Sequence, residues 1–340
     1  MRFGEIPLDK AEGAILAHAT VARGRPDARQ TTQRIPKGTR LTRAHLDDLA
    51  AEGHQTLIVA QLDATDLHED EAAARLAAAL IPDPAGAGVS VTQAATGRVN
   101  VYATAAGIAR IAVPAVEAFN AVDPMITLST VRPFQRVAPR TMIATIKIIS
   151  YGVPQIAVDE AAQAGAAALS VLPPIYRTAS LIETRTTAAA PSDKGRRALK
   201  DRLDRLGVGL SDDRVVVPHR LPDLSHAIGQ AEGEVIFVLT ASATSDAHDV
   251  GPSALQKAGG TLTQFGMPVD PGNLLFLGGL GEKPVIGLPG CARSPALNGA
   301  DWVLERVICG VPPTPEDFAR MGVGGLLKEI PTRPKPRDEI

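Results

Sequence analysis

Three short stretches of this 340-residue chain carry side chains whose types and spacing suit an anion. The first is Glu183-Thr184-Arg185-Thr186-Thr187. The second, TASATSDAHD over 240–249, supplies Thr240, Ser242, Thr244, Ser245, Asp246 and Asp249. The third is Leu288-Pro289-Gly290-Cys291-Ala292-Arg293-Ser294. Hydroxyls and backbone N–H groups gathered ahead of helix starts meet the needs of a phosphate. Arg293 adds a planar fork suited to phosphate oxygens. Asp246 and Asp249 are the carboxylates of the second stretch. Each side chain also has a plainer use, the hydroxyls in turns and Asp249 as the cap of the helix that follows it. Cys291 is either a packing residue or a reactive thiol.

The elements that must position these stretches alternate between strand and helix. Apolar runs at 179–184, 214–217 and 234–240 read as strands, the last fully apolar. Helices are expected over 194–206, where Leu199, Leu203 and Leu206 recur at helical spacing, and over 221–230 and 252–258. The runs 273–277 and 284–288 flank Gly278-Gly279-Leu280-Gly281-Glu282, a hairpin turn, and the second passes through Pro289-Gly290 into a helix over 295–309. Such a passage leaves free N–H groups at the helix start. Alternation of this kind implies a parallel sheet covered on both faces, with ligands beyond the carboxyl ends of its strands.

The region before Pro173-Pro174 reads as mixed α+β and strand-rich, with possible subdomains at 1–85 and 86–150. Helices are expected over 8–19, from Thr42 to Glu52, and over 71–80, 115–122 and 158–169. Strands are expected over 56–60, 98–103, 107–113 and 141–149, with a polar loop at 23–34. Lys147 points either to solvent or to a charged ligand. The α/β domain spans 175–311, and 312–340 holds a short helix (315–321) and a frayed tail.

Composition narrows the function classes. Hydrophobic residues make up 45% of the chain and charged residues 21%, which is ordinary for a soluble globular protein. A net charge of −2 and 3% aromatics argue against nucleic-acid binding through a basic surface or stacking platforms. Two cysteines without metal-ligand spacing, no apolar signal core and no membrane-length apolar run predict a cytoplasmic protein that binds no membrane.

Gly287-Leu288-Pro289-Gly290, preceded by Val269-Asp270-Pro271-Gly272, resembles the end of the molybdopterin-binding domain of the molybdopterin molybdotransferase family. That family carries a PGK-type turn followed by a GLPGNP-type turn at similar spacing. The resemblance is clearest over about 170–311 and weaker over 35–60. A subgroup with MPVDPGN and GLPGCARSP is more similar still, and in it this region often precedes a molybdenum-cofactor cytidylyltransferase domain. No Gly-rich nucleotidyltransferase loop occurs in this chain. The family's second segment reads Gly-Gly-x-Ser, with Ser242 at the matching serine and no matching glycine pair. The family's acidic residue corresponds to Asp246 or Asp249, of which Asp249 precedes a helix as the family's does, and a carboxylate there could bind Mg²⁺ or position a water. The family's lysines beside Pro-Gly are replaced by Asp270 and Asn273, and Cys291 stands where asparagine is usual.

The resemblance implies a three-layer molybdopterin-binding domain that takes molybdopterin or its adenylylated form as its ligand. Ser242 and the 289–294 loop would hold phosphate, with Thr240, Thr244, Ser245 and the turn Pro271-Gly272-Asn273 contributing. Asp249 would handle metal or water. The departures favour a carrier or processing module serving a separate nucleotidyltransferase or molybdoenzyme. The alternatives are a molybdotransferase using Mg²⁺ and molybdate, and a hydrolase of nucleotide pyrophosphates. An apolar, strand-rich N-terminal region favours a homodimer.

Overall fold

The computed structural model describes residues 1–23 and 32–327, and the chain divides into two units whose pieces alternate along the sequence. The first unit takes Met1–Thr104, Ala109–Pro133 and Pro139–Val171. The second takes Ala105–Ile108, Phe134–Ala138 and the chain from Leu172 onward. Among the described residues no helix is long and apolar enough to cross a membrane.

In the first unit, a four-stranded antiparallel sheet has the order Ile126–Thr130, Met142–Ile148, Arg98–Ala103, Val89–Val91. Val99, Val101 and Ala103 alternate inward, as a sheet with one covered face requires. The expected helices at Thr42 and 71–80 form as Arg43–Ala51, with Thr42 as N-cap, and Glu69–Leu80. No helix forms over 8–19. Gly13 at φ +76° breaks it, leaving one 3-10 turn (Leu8–Lys10) and the strand Ile15–Leu16, whose neighbouring amides bond to Thr39 and Leu41. The ends of the expected 23–34 loop pair as strands Thr20–Arg23 and Thr32–Ile35, and the stretch between lies outside the described residues. The helix expected over 158–169 forms as Gln155–Ala164, with Leu169 opening the strand Leu169–Leu172. Lys147 is partly exposed. Its ammonium donates to Thr96 O and lies 4.0 Å from Glu69.

The second unit holds the strands β1 (Thr178–Arg185), β2 (Gly209–Leu210), β3 (Val215–Pro218), β4 (Val235–Leu239), β5 (Thr261–Phe265), β6 (Phe276–Leu280) and β7 (Lys283–Leu288). Its helices are α1 (Lys194–Asp204), α2 (Leu221–Gln230), α3 (Val250–Lys257), α4 (Gly299–Ile308) and α5 (Pro315–Arg320). β1 pairs in parallel with β2, β3 and β4, and β4 with β7. The far side is antiparallel, β7 to β6 and β6 to β5, so the sheet is mixed rather than wholly parallel. The reason is the two-residue turn Gly281-Glu282, Gly281 at φ +58°, which returns the chain beside itself. Gly278 and Gly279, expected in that turn, lie within β6.

Consecutive residues along the central strands face opposite ways. Leu181, Phe237, Leu239, Ile286 and Leu288 pack with Leu199 and Leu203 of α1 and Val303, Leu304 and Val307 of α4. Ile182, Ile236, Val238 and Val285 pack with Leu224 and Ile228 of α2 and Ala254 and Leu255 of α3. Both faces are therefore covered, which is why these strands read as unbroken apolar runs.

Phe276 sits in a notch that two glycines leave open. A Cβ on Gly287 would come within 1.9 Å of its ring, and one on Gly251, in the first turn of α3, within 2.9 Å. Gly287→Ala should lower the unfolding free energy by about 1–3 kcal/mol in urea titration. Gly279→Ala, whose Cβ would meet nothing nearer than 3.7 Å, should shift it by less than about 0.5 kcal/mol.

The early piece Phe134–Ala138 belongs to the second unit through α4. The Arg306 guanidinium lies 4.2 Å from the centre of the Phe134 ring, and Arg136 Nε donates to Glu305 at 3.0 Å. Burial, aided by the negative charge of Asp301, pushes the Glu305 carboxyl up to about 7, against the opposing pull of Arg136. The unfolded carboxyl ionises near 4.5, so the folded state holds the extra proton between these values. Stability from this group is full below pH 4.5 and is lost as pH rises to about 7. Relative to the wild type, Glu305→Gln should therefore gain stability over that interval, by up to about 3 kcal/mol, and gain no more above it. A flat difference across the interval would mean the carboxyl titrates alike in both states.

Candidate functional site

Parallel pairing decides where the three candidate stretches meet. Glu183 lies opposite Leu239, and Leu239 opposite Leu288, so Thr184 near the end of β1, Thr240 just past β4 and Pro289 just past β7 lie along one edge. The loops are then tied to one another through a single peptide group. The N–H of Ala241 donates to Thr184 Oγ at 2.7 Å, and Thr240 O accepts from Arg293 Nη2 at 2.8 Å. The middle loop is thus fastened on both sides. Arg293 is half-buried, and its stem passes the start of α1, where a Cβ on Gly195 would lie 3.3 Å from its Cγ.

Most of the hydroxyls serve the loop that carries them. Thr240 and Thr244 are buried, 3.3 Å apart, and Thr240 Oγ donates to Ser242 O at 2.7 Å. Ser245 Oγ donates to Ala243 O, and Ser294 Oγ accepts from Ala296 N. Ser242 and Ser294 are exposed. Asp249 is the N-cap of α3. One oxygen accepts from Val250 N at 2.7 Å and the other from Ser245 N at 3.0 Å. Asp246 accepts from His248 N at 2.8 Å. Among the described residues no three His, Cys, Asp or Glu side chains gather as a metal-ligating group. The first loop is lashed down by Arg214, which donates to buried Glu183 at 2.9 Å, to Asp193 and to Pro191 O.

The third loop departs from the sequence expectation. A 3-10 turn, Gly290–Arg293, follows Pro289, and α4 begins only at Gly299, not near Pro295. The leading N–H groups of α4 are not free. Gly299 N donates to Pro271 O at 2.8 Å, and Ala300 N donates to the side chain of its N-cap, Asn298, at 3.0 Å. A Cβ on Gly272 would lie 2.8 Å from Gly299, so the Pro271-Gly272 turn presses directly on the helix start. Asn273, exposed, closes that turn by accepting from Met267 N. The other hand of buried Asn298, Nδ2, donates to the sulfur of exposed Cys291 at 3.1 Å. The 271–273 and 289–298 segments therefore meet at Asn298, while Asp246 and Asp249 stay with α3.

One residue that sequence reasoning missed holds this arrangement. Arg202 of α1 is 6% exposed and all five of its N–H groups find acceptors. Nε donates to Asp301, Nη1 to Ala198 O and Ala292 O, and Nη2 to Ser294 O and Ala296 O. The other oxygen of Asp301 accepts from Asn298 N at 2.7 Å. The sequence signal was an arginine on the apolar face formed by Leu199, Leu203 and Leu206.

No family model matches this chain, and no curated protein matches it either. The chain is similar to solved structures. One of them is the molybdopterin biosynthesis protein MoeA from Pyrococcus horikosii, 14% identical, aligned over 95% of this chain and 77% of that one, with a TM-score of 0.29.

Arg202→Met leaves Asp301 buried without its counter-charge and three loop carbonyls without donors. It should cost about 3–5 kcal/mol of unfolding free energy. Hydrogen exchange at the amides of Ser294 and Asn298 should rise with it, whereas a loss spread evenly over the chain would deny Arg202 a special hold on this loop.

Proposed function

We propose that the second unit binds a phosphate-bearing molybdopterin species at the carboxyl edge of β1, β4 and β7, as a carrier or processing module in molybdenum-cofactor biosynthesis. The observation that carries this reading is the register that sets Thr184, Thr240 and Pro289 along one edge, with Arg293 bridging two of the three loops. An edge of this kind, at the carboxyl ends of parallel strands, is where open α/β sheets take ligands. The pterin is argued from the Val269-Asp270-Pro271-Gly272 and Gly287-Leu288-Pro289-Gly290 motifs, whose two turns meet at Asn298. Ser242, Gly290, Arg293 and Ser294 would face the phosphate.

Carriage is favoured over turnover by the state of the carboxylates. Both oxygens of Asp249 already accept backbone N–H groups, and Asp246 is engaged within its own loop. The residues present do not fit a resident Mg²⁺, and molybdate, where it enters, would be cargo on the ligand. The lysines that would draw such anions are replaced by Asp270 and Asn273. A separate nucleotidyltransferase or molybdoenzyme would receive the cofactor.

The test is to purify the full chain from a molybdenum-replete host, identify the bound ligand by mass spectrometry and titrate it back. A pterin phosphate should be found. Arg293→Ala should weaken its binding by roughly 1.5–3 kcal/mol, with Arg293→Lys recovering part. A wild-type chain that neither carries nor binds a pterin phosphate overturns the reading.

A further inference from the structure

Thr184 poses a question of proton accounting. Its side chain is 1% exposed, and its Oγ accepts the N–H of Ala241 at 2.7 Å. The hydroxyl still has a proton of its own, which needs an acceptor where water does not reach. The imidazole of His219 supplies one, with Nδ1 3.0 Å from Oγ. Oγ could accept a second hydrogen bond, but its own proton would then be buried without an acceptor, so the hydroxyl donates to Nδ1. Nδ1 is then bare, and the neutral ring carries its proton on Nε2.

His219 is delivered there by the fold. It directly follows β3, whose Val217 lies opposite Thr184, and its own N–H donates to Arg185 O at 2.8 Å. A relay results in which His219 Nδ1 accepts from Thr184 and Thr184 accepts from Ala241. Its end is the same peptide group whose carbonyl is held by Arg293.

We propose that His219 is a further positioning residue of this edge. In its Nε2–H tautomer it orients the Thr184 hydroxyl, and through it the Thr240–Ala241 peptide from which the 241–249 loop departs. Its effect on ligand affinity rests on the anion-binding reading above; its tautomer and its effect on Ala241 do not.

The experiment uses the full-length protein. Long-range proton–nitrogen correlation spectra of the wild type should show His219 protonated at Nε2. The Ala241 amide should exchange with solvent faster by about tenfold or more in Thr184→Val and His219→Phe. In His219→Asn, whose amide oxygen can take the place of Nδ1, exchange should stay near wild type. With pyrophosphate as the probe, His219→Phe should bind about tenfold more weakly than the wild type and His219→Asn should recover most of the loss. An Nδ1–H tautomer in the wild type overturns the proposal whether or not any variant folds. So does a folded His219→Asn that exchanges Ala241 as fast as His219→Phe, or pyrophosphate affinity that His219→Phe leaves unchanged. A wild type that binds no pyrophosphate sinks the anion-binding reading instead, and the tautomer and exchange results then decide the relay alone.

Discussion

A guanidinium removed from water must have every N–H satisfied and its charge answered, and Arg202 meets both demands with groups from the candidate edge. Asp301 answers the charge, and four carbonyls take the remaining N–H groups, three of them from the 292–296 stretch. The penalty for burying an arginine is thereby converted into a geometric constraint. Carbonyls that must point at one planar fork cannot also point along a helix axis. This is why α4 cannot begin where the sequence suggests. Ala296 O faces Arg202, and the Ala300 N–H that would have bonded it turns to Asn298 instead. A lysine would bring the charge without the fork, and the loop would lose its template.

The rest of the edge follows from that fixed loop. With the 3-10 turn held, Arg293 projects back to Thr240 O, and the middle loop is caught between it and Thr184. Asn298, placed by Asp301, caps α4, meets Gly272 and reaches Cys291. Glycine is required at Gly272 because a side chain there would strike the backbone of Gly299 and because its φ is +144°. Loops tied to one another in this way lose little further freedom when a ligand arrives, which is what preorganisation means energetically.

Periodicity made the helices α1 and α2 and the strands β1 and β4 legible, since apolar spacing reports directly which face is buried. The hydroxyl-rich stretches were legible as chemistry too, because their residue types are unusual at strand ends. What sequence could not give were the partners. Thr184 meets His219 and Ala241, and Arg202 meets Asp301, across 35, 57 and 99 positions. Register and layer order bring these together, and neither is written in local spacing. The failed helix over 8–19 has a local cause in Gly13, whereas the late start of α4 has a distant one in Arg202.

This distinction bears on what the edge can do. Rate acceleration needs polar groups that are aimed at developing charge and held ready for it. Along this edge the buried polar groups are aimed at each other. Thr240 serves Ser242, Asp249 serves Ser245 and Val250, Asn298 serves Ala300 and Cys291. What remains for a visitor is the exposed rim of Ser242, Gly290 and Ser294, together with the part of the Arg293 fork that does not hold Thr240. On the proposed reading, such a rim would recognise an anion through a rigid frame, with few groups free to transform it. The physical case for carriage therefore lies in how thoroughly the frame has already used its own donors and acceptors.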